Sequence, residues 1–124
     1  MSFYKDLGSR SGPLEALDAT ILGVSANSPK SNARFRDKIA SPFAFLSDPQ
    51  LTLADSLAVA TQSGHPMALK YPKRAFLQPS VFIWRKDGQE AFSWRAKARL
   101  TNLLGAARRM SASDIVAKLE ELAG

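Results

Sequence analysis

Short apolar runs alternate with polar, proline-marked stretches along the chain, and the spacing within each run sets the expected element. Phe3, Tyr4, Leu7, Leu14 and Leu17 line one side of a helical opening, which Gly8 and Ser11-Gly12-Pro13 interrupt, so residues 1–17 read as a helical fragment. Residues 19–26, ATILGVSA, are apolar and bounded by polar turn residues, which predicts a short buried strand. Ser28 and Pro29 then supply an N-cap and a first helical residue that needs no donor. The helix expected from 29 to about 40 places Phe35 and Ile39 on one face, with Arg34, Arg36, Asp37 and Lys38 outside, and Pro42 stops it. FAFLS at 43–47 is a second strand, and the strand-helix-strand order fits a right-handed βαβ unit with parallel strands. Asp48-Pro49 repeats the cap-then-proline device and predicts a helix from 49 to about 60 with Leu53 and Leu57 on its apolar side.

Residues 61–80 contain Gly64, Pro66, Pro72 and Pro79, which predicts a long loop with little regular structure. The clearest local signal follows. VFIWRK and QEAFSW flank Asp87-Gly88, a dipeptide suited to a type I′ turn, and predict a β-hairpin. With a two-residue turn, Val81 faces Trp94, Ile83 faces Phe92, and Arg85 faces Glu90 as a salt bridge. Phe82 and Trp84 point to the other face, so the first hairpin strand is expected to be covered on both sides. Residues 96–110 fit either a loop or a short helix, because Leu100, Leu103, Leu104 and Ala107 suit a helix face that Gly105 weakens. Ser111 and Asp114 have capping-box spacing before Ile115, Leu119 and Leu122, which predicts a last helix.

At 124 residues, 45% apolar and 23% charged, the chain suffices for one domain with a real core. No fixed-period repeat or low-complexity tract divides residues 1–124. Charge is less even. Residues 1–68 hold six Lys/Arg and six Asp/Glu, whereas 69–124 hold eleven against five, so the excess of +6 lies in the second half. Lys70, Lys73, Arg74, Arg95, Lys97, Arg99, Arg108 and Arg109 belong to that excess and are the candidates for holding nucleic acid or another anionic surface. Phe92 and Trp94 lie near those charges, but the hairpin register assigns them to packing.

The chemistry is bounded by what is missing. Cysteine is absent, which removes disulfides, thiolate metal sites, a CxxC pair and a cysteine nucleophile. The one histidine, His65, stands in the long loop with no carboxylate spaced to orient it, so a hydrolase triad is not expected. Neither metal-ligand spacing nor a phosphate-binding glycine loop occurs, and no metal or cofactor is expected. No apolar stretch has the length of a membrane span or of a secretory leader, and a cytoplasmic location is the expectation.

The phrases ILGVSANSP at 21–29, FAFLSDP at 43–49 and QPSVFIWRKDG at 78–88, in that order, resemble the alkyl hydroperoxide reductase and thiol-specific antioxidant family, in particular its peroxiredoxin-like branch. The resemblance covers about Asp18 to Leu122. It implies an α/β fold, a thioredoxin-like sheet flanked by helices, ending in a β-hairpin and a helix. It also implies thiol-dependent peroxide reduction by a cysteine at the start of the helix after a central strand. Here that strand would precede Met1, so the sheet is expected to be incomplete and no residue matches the nucleophile. Serine lacks the acidity to replace a thiolate without an adjacent base. The resemblance places Gln78-Pro79 where such folds keep a cis-proline beside a substrate groove, against the alternative of an ordinary strand-entry proline. The expected protein is therefore a non-catalytic homologue or truncated remnant. Unpaired backbone groups along an open sheet seam would cost about 1 to 3 kcal/mol each if buried. The seam is expected to close by pairing its two sides directly or by forming a homodimer.

Overall fold

The computed structural model describes residues 3–63, 66–96 and 109–123. The elements are α1 (Phe3–Ser9), α2 (Ser11–Ala16), β1 (Leu22–Ser25), α3 (Pro29–Ile39), β2 (Ala44–Ser47), α4 (Thr52–Ser56), β3 (Thr61–Ser63), a 3-10 helix (Pro66–Lys70), β4 (Ala75–Leu77), β5 (Ser80–Trp84), β6 (Glu90–Arg95) and α5 (Ala112–Ala123). They fall into two compact units, residues 1–24, 29–46 and 110–124 in the first and residues 25–28 and 47–109 in the second. Strand pairing among the described residues forms three two-stranded sheets, β1 with β2, β3 with β4 and β5 with β6.

The first unit is held by rings and leucines. Tyr4 of α1 meets Phe45 of β2 edge-on at 5.1 Å between ring centres and Phe35 of α3 at 6.0 Å, and Phe35 meets Phe45 at 5.6 Å. Such edge-to-face triads add to the area they bury. Phe45 lies directly over Gly23, where a Cβ would stand 2.4 Å from the ring, so the strand tolerates only glycine there without moving the ring. Leu7 and Leu14 are buried, as are Ile115 and Val116 of α5, which packs on α1. The capping box of α5 forms as expected, with Asp114 N–H donating to Ser111 Oγ at 3.1 Å and Ser111 N–H to an Asp114 carboxylate oxygen at 3.1 Å. The opening is two helices, not one broken fragment, because Pro13 falls in the first turn of α2, where its missing donor is harmless.

Three helices end on the same device. Asp18, Ala40 and Ala58 take left-handed φ angles of 54°, 50° and 54°. In each case the following N–H reaches back five residues, from Ala19 to Leu14 O, Ser41 to Arg36 O and Val59 to Ala54 O. This is the Schellman closure, usually built on glycine. Residues 18 and 19 thus belong to the end of α2, and β1 starts only at Leu22.

In the second unit Pro49 does not begin a helix. Leu51 N–H closes a turn on Asp48 O at 3.0 Å, Leu51 adopts φ 62°, and α4 runs only from Thr52 to Ser56. The stretch expected to lack regular structure carries two strands instead, with Thr61 opposite Leu77, Gln62 opposite Phe76 and Ser63 opposite Ala75. The hairpin has the expected pairs Val81–Trp94 and Ile83–Phe92, then slips by one residue, so that Glu90 faces Trp84 and not Arg85. The cause lies in the turn. Arg85 N–H bonds Gln89 O and Gly88 N–H bonds Arg85 O, both at 2.9 Å, and only Gly88, at φ 89°, is left-handed. A type I′ turn needs both central residues there, so the connection is a longer loop with glycine in the bulge position. The expectation for 96–110 falls largely on residues 97–108, outside the described ones.

Candidate functional site

The two signature phrases meet each other. Asp48 N–H donates to Ser25 O at 2.8 Å, Ser47 Oγ–H donates to Asn27 O, and Asn27 N–H donates to Ser25 Oγ at 3.2 Å. The Asp48 carboxylate accepts from the N–H groups of Leu53 at 3.1 Å and Ala54 at 2.9 Å, which satisfies two donors at the start of α4. Ser25, Ser47 and Asp48 are all engaged in backbone joinery.

Gln78-Pro79 occupies the passage from β4 to β5. The backbone is anchored on both sides, Gln78 N–H to Ala60 O and Ala96 N–H to Pro79 O, each at 2.9 Å. The peptide bond before Pro79 is trans, so the cis geometry that the resemblance implied is not adopted. The Gln78 side chain is 2% exposed, and neither end of its amide has a hydrogen-bond partner among the described residues. Burying an amide group without a partner costs on the order of 1–3 kcal/mol. Near the start of β4, Tyr71 stacks obliquely on Phe76 at 5.8 Å, and burial pushes its hydroxyl above the usual 10.0.

The basic candidates divide. Lys70, Lys73 and Arg74 lie exposed on the single connection from the 3-10 helix to β4. Arg95 ends β6, where its Nε–H donates to Leu57 O at 2.8 Å and its guanidinium sits 4.7 Å from the Phe82 ring centre. Lys97, Arg99, Arg108 and His65 lie outside the described residues. Phe92 and Trp94 stay half-buried, on the hairpin face opposite to Arg95.

A feature that the sequence reading placed under cover is open. Phe82 and Trp84 stack with ring centres 5.6 Å apart and planes 10° from parallel, and Trp84 is 49% exposed. Among the described residues β5 has one strand neighbour, β6, and the exposure of Trp84 shows that this end of its outer face is not covered. The register was the available signal, since Ser80 opposite Arg95 puts a cation on the face of Phe82.

The helices and small sheets belong to the thioredoxin-like α/β fold of the peroxiredoxins. The structure matches that of the Xanthomonas campestris bacterioferritin comigratory protein, described for its alkyl peroxide reduction activity, with a TM-score of 0.71 and 24% identity over 98% of this chain and 69% of that one. It also matches a mutant of peroxiredoxin 6 from Arenicola marina with a TM-score of 0.70 and 12% identity, over 96% of this chain and 52% of that one. The chain thus spans about half to two thirds of these proteins. No curated protein sequence matches. The AhpC/TSA family model matches residues 4–89, well over half of the chain. This chain belongs to the AhpC/TSA family, and it does so without a cysteine.

Proposed function

We propose that this chain is a single redoxin-family domain with no peroxidase chemistry of its own, acting through its surfaces. The observation that carries this reading is the combination of family membership with a sequence that contains no thiol. Peroxide reduction in such a fold needs a thiolate nucleophile, and a hydroxyl without a base is too weakly acidic to stand in for it. The serines of the signature phrases support the same reading, because Ser25 and Ser47 are committed to the backbone contacts around Asp48. Gln78 and Pro79 are then the relic of a substrate groove, and the unpartnered amide of Gln78 is what favours that assignment. The location proposed is cytoplasmic; among the described residues no helix is long and apolar enough to cross a membrane.

The test is peroxide consumption by the purified chain, with hydrogen peroxide and an alkyl hydroperoxide, in the presence of a dithiol reductant. Loss at the rate of buffer is expected. Turnover above it would refute the reading.

Two kinds of partner follow. Among the described residues, strands β1 and β5 each have a neighbour on one side only, which favours a homodimer formed by strand addition. The stretch 47–109 holds ten Lys and Arg against four Asp and Glu, the whole of the +6 excess, which favours an anionic partner for the second unit.

A further inference from the structure

The outer face of the β5–β6 hairpin carries a stack that packing does not use up. Arg95 lies opposite Ser80, two residues before Phe82, and Trp84 lies two residues after it. The guanidinium therefore takes one side of the Phe82 ring, at 4.7 Å, and the indole takes the other, at 5.6 Å and nearly parallel. Alternation along the strands puts Ser93, half-buried, on the same face, where its Oγ lies 3.4 Å from an Arg95 guanidinium nitrogen. The order Arg95, Phe82, Trp84 ends in an indole that is 49% exposed, with no further described ring over it.

From this geometry we propose that the hairpin face binds single-stranded nucleic acid, with an unpaired base stacked on Trp84. The inference rests on the reading of the second unit as a partner of anions, and it specifies which anion and where. A cation-backed aromatic platform on a two-stranded sheet suits a base, because every base offers a π-face whatever its sequence. Duplex bases are already stacked on each other and cannot reach it. The formal charge agrees, since all of the +6 lies in the stretch that contains this hairpin, and the exposed Arg85 follows Trp84 directly. Glu90, which faces Trp84 across the hairpin, is the acid that opposes phosphate there.

The experiment is titration of the full chain with a labelled single-stranded oligonucleotide of mixed sequence, read by anisotropy and by tryptophan quenching, with inorganic polyphosphate as a polyanion without bases. Binding should weaken steeply between about 50 and 200 mM salt. Trp84→Ala should lower oligonucleotide affinity about 5- to 150-fold, leave polyphosphate affinity unchanged and keep the circular dichroism of the wild type. Trp84→Phe should retain most of the binding, and Glu90→Gln should tighten it. Equal oligonucleotide affinity for wild type and Trp84→Ala overturns the platform and leaves the electrostatic reading standing. Failure of both oligonucleotide and polyphosphate to bind removes both. Self-association abolished by Trp84→Ala, without oligonucleotide binding, overturns the proposal and makes the face a contact between copies.

Discussion

Ala40 and Ala58 hold a backbone conformation that a side chain disfavours, and both are exposed, so nothing packs against their methyl groups to repay it. A left-handed φ costs an L-residue about 1–2 kcal/mol, and glycine escapes that cost while losing about 0.5–1 kcal/mol of chain entropy on folding. Relief exceeds loss at these two positions. Ala40→Gly and Ala58→Gly should each stabilise the fold by about 0.5–1 kcal/mol, and the two should add because they close different helices. Urea unfolding midpoints measure this, and a loss of stability in either variant would show that the Schellman closure there is not under strain. The same residues explain why the helix ends were hard to read. Gly at these sites would announce the closures, whereas alanine carries no such signal, and with the turn at Asp18 unmarked by glycine the apolar run 19–26 reads as strand three residues before β1 begins at Leu22.

The elements are secured by caps of unequal burial. Asp48 is 7% exposed and serves two N–H groups of α4, whereas Ser111 serves one exposed N–H of α5. Removing a cap costs about 0.5–2 kcal/mol, toward the upper end where the stranded donors are shielded from water. Asp48→Ala should therefore cost about 2 kcal/mol and Ser111→Ala about 1 kcal/mol, while Asp48→Asn, an equally good cap, should recover most of the loss. Denaturant titration of the three variants decides it; equal losses for the two alanine variants would mean that burial does not govern the caps. Local chemistry of this kind was legible from the sequence. The capping box of α5, the Pro29 start of α3 and the 81–94 and 83–92 pairs all depend on neighbours within a few residues or on one turn. β3 and β4 were not legible, because Thr61–Ser63 is polar, Ala75–Leu77 is three residues long, and their pairing spans a stretch marked by prolines. The exposure of Trp84 is not legible for a related reason: alternation gives its face, but whether that face is covered depends on which distant segment packs over the hairpin.

At the scale of the whole molecule, the order of three phrases sufficed to indicate the family, since order and spacing survive where the nucleophile does not. What they do not determine is how the sheet edges are satisfied. Of the two closures expected for the seam, direct pairing of its sides is not among the strand pairs formed, and β1 and β5 each keep one edge unpartnered among the described residues. A second copy of the chain can supply matching N–H and C=O groups by two-fold symmetry, since an edge that accepts a strand also offers one. If that dimer forms, folding and association are linked, and stability must depend on concentration. Raising the chain from about 1 to 100 μM adds about 2.7 kcal/mol per dimer, or about 1.4 kcal/mol per chain. For a chain of this length that corresponds to a melting temperature about 5 °C higher. Scanning calorimetry across that range, with sedimentation at both ends, measures it. A melting temperature independent of concentration, with a monomer at 100 μM, about the upper end of that range, would mean that these edges are left to solvent or to a different chain.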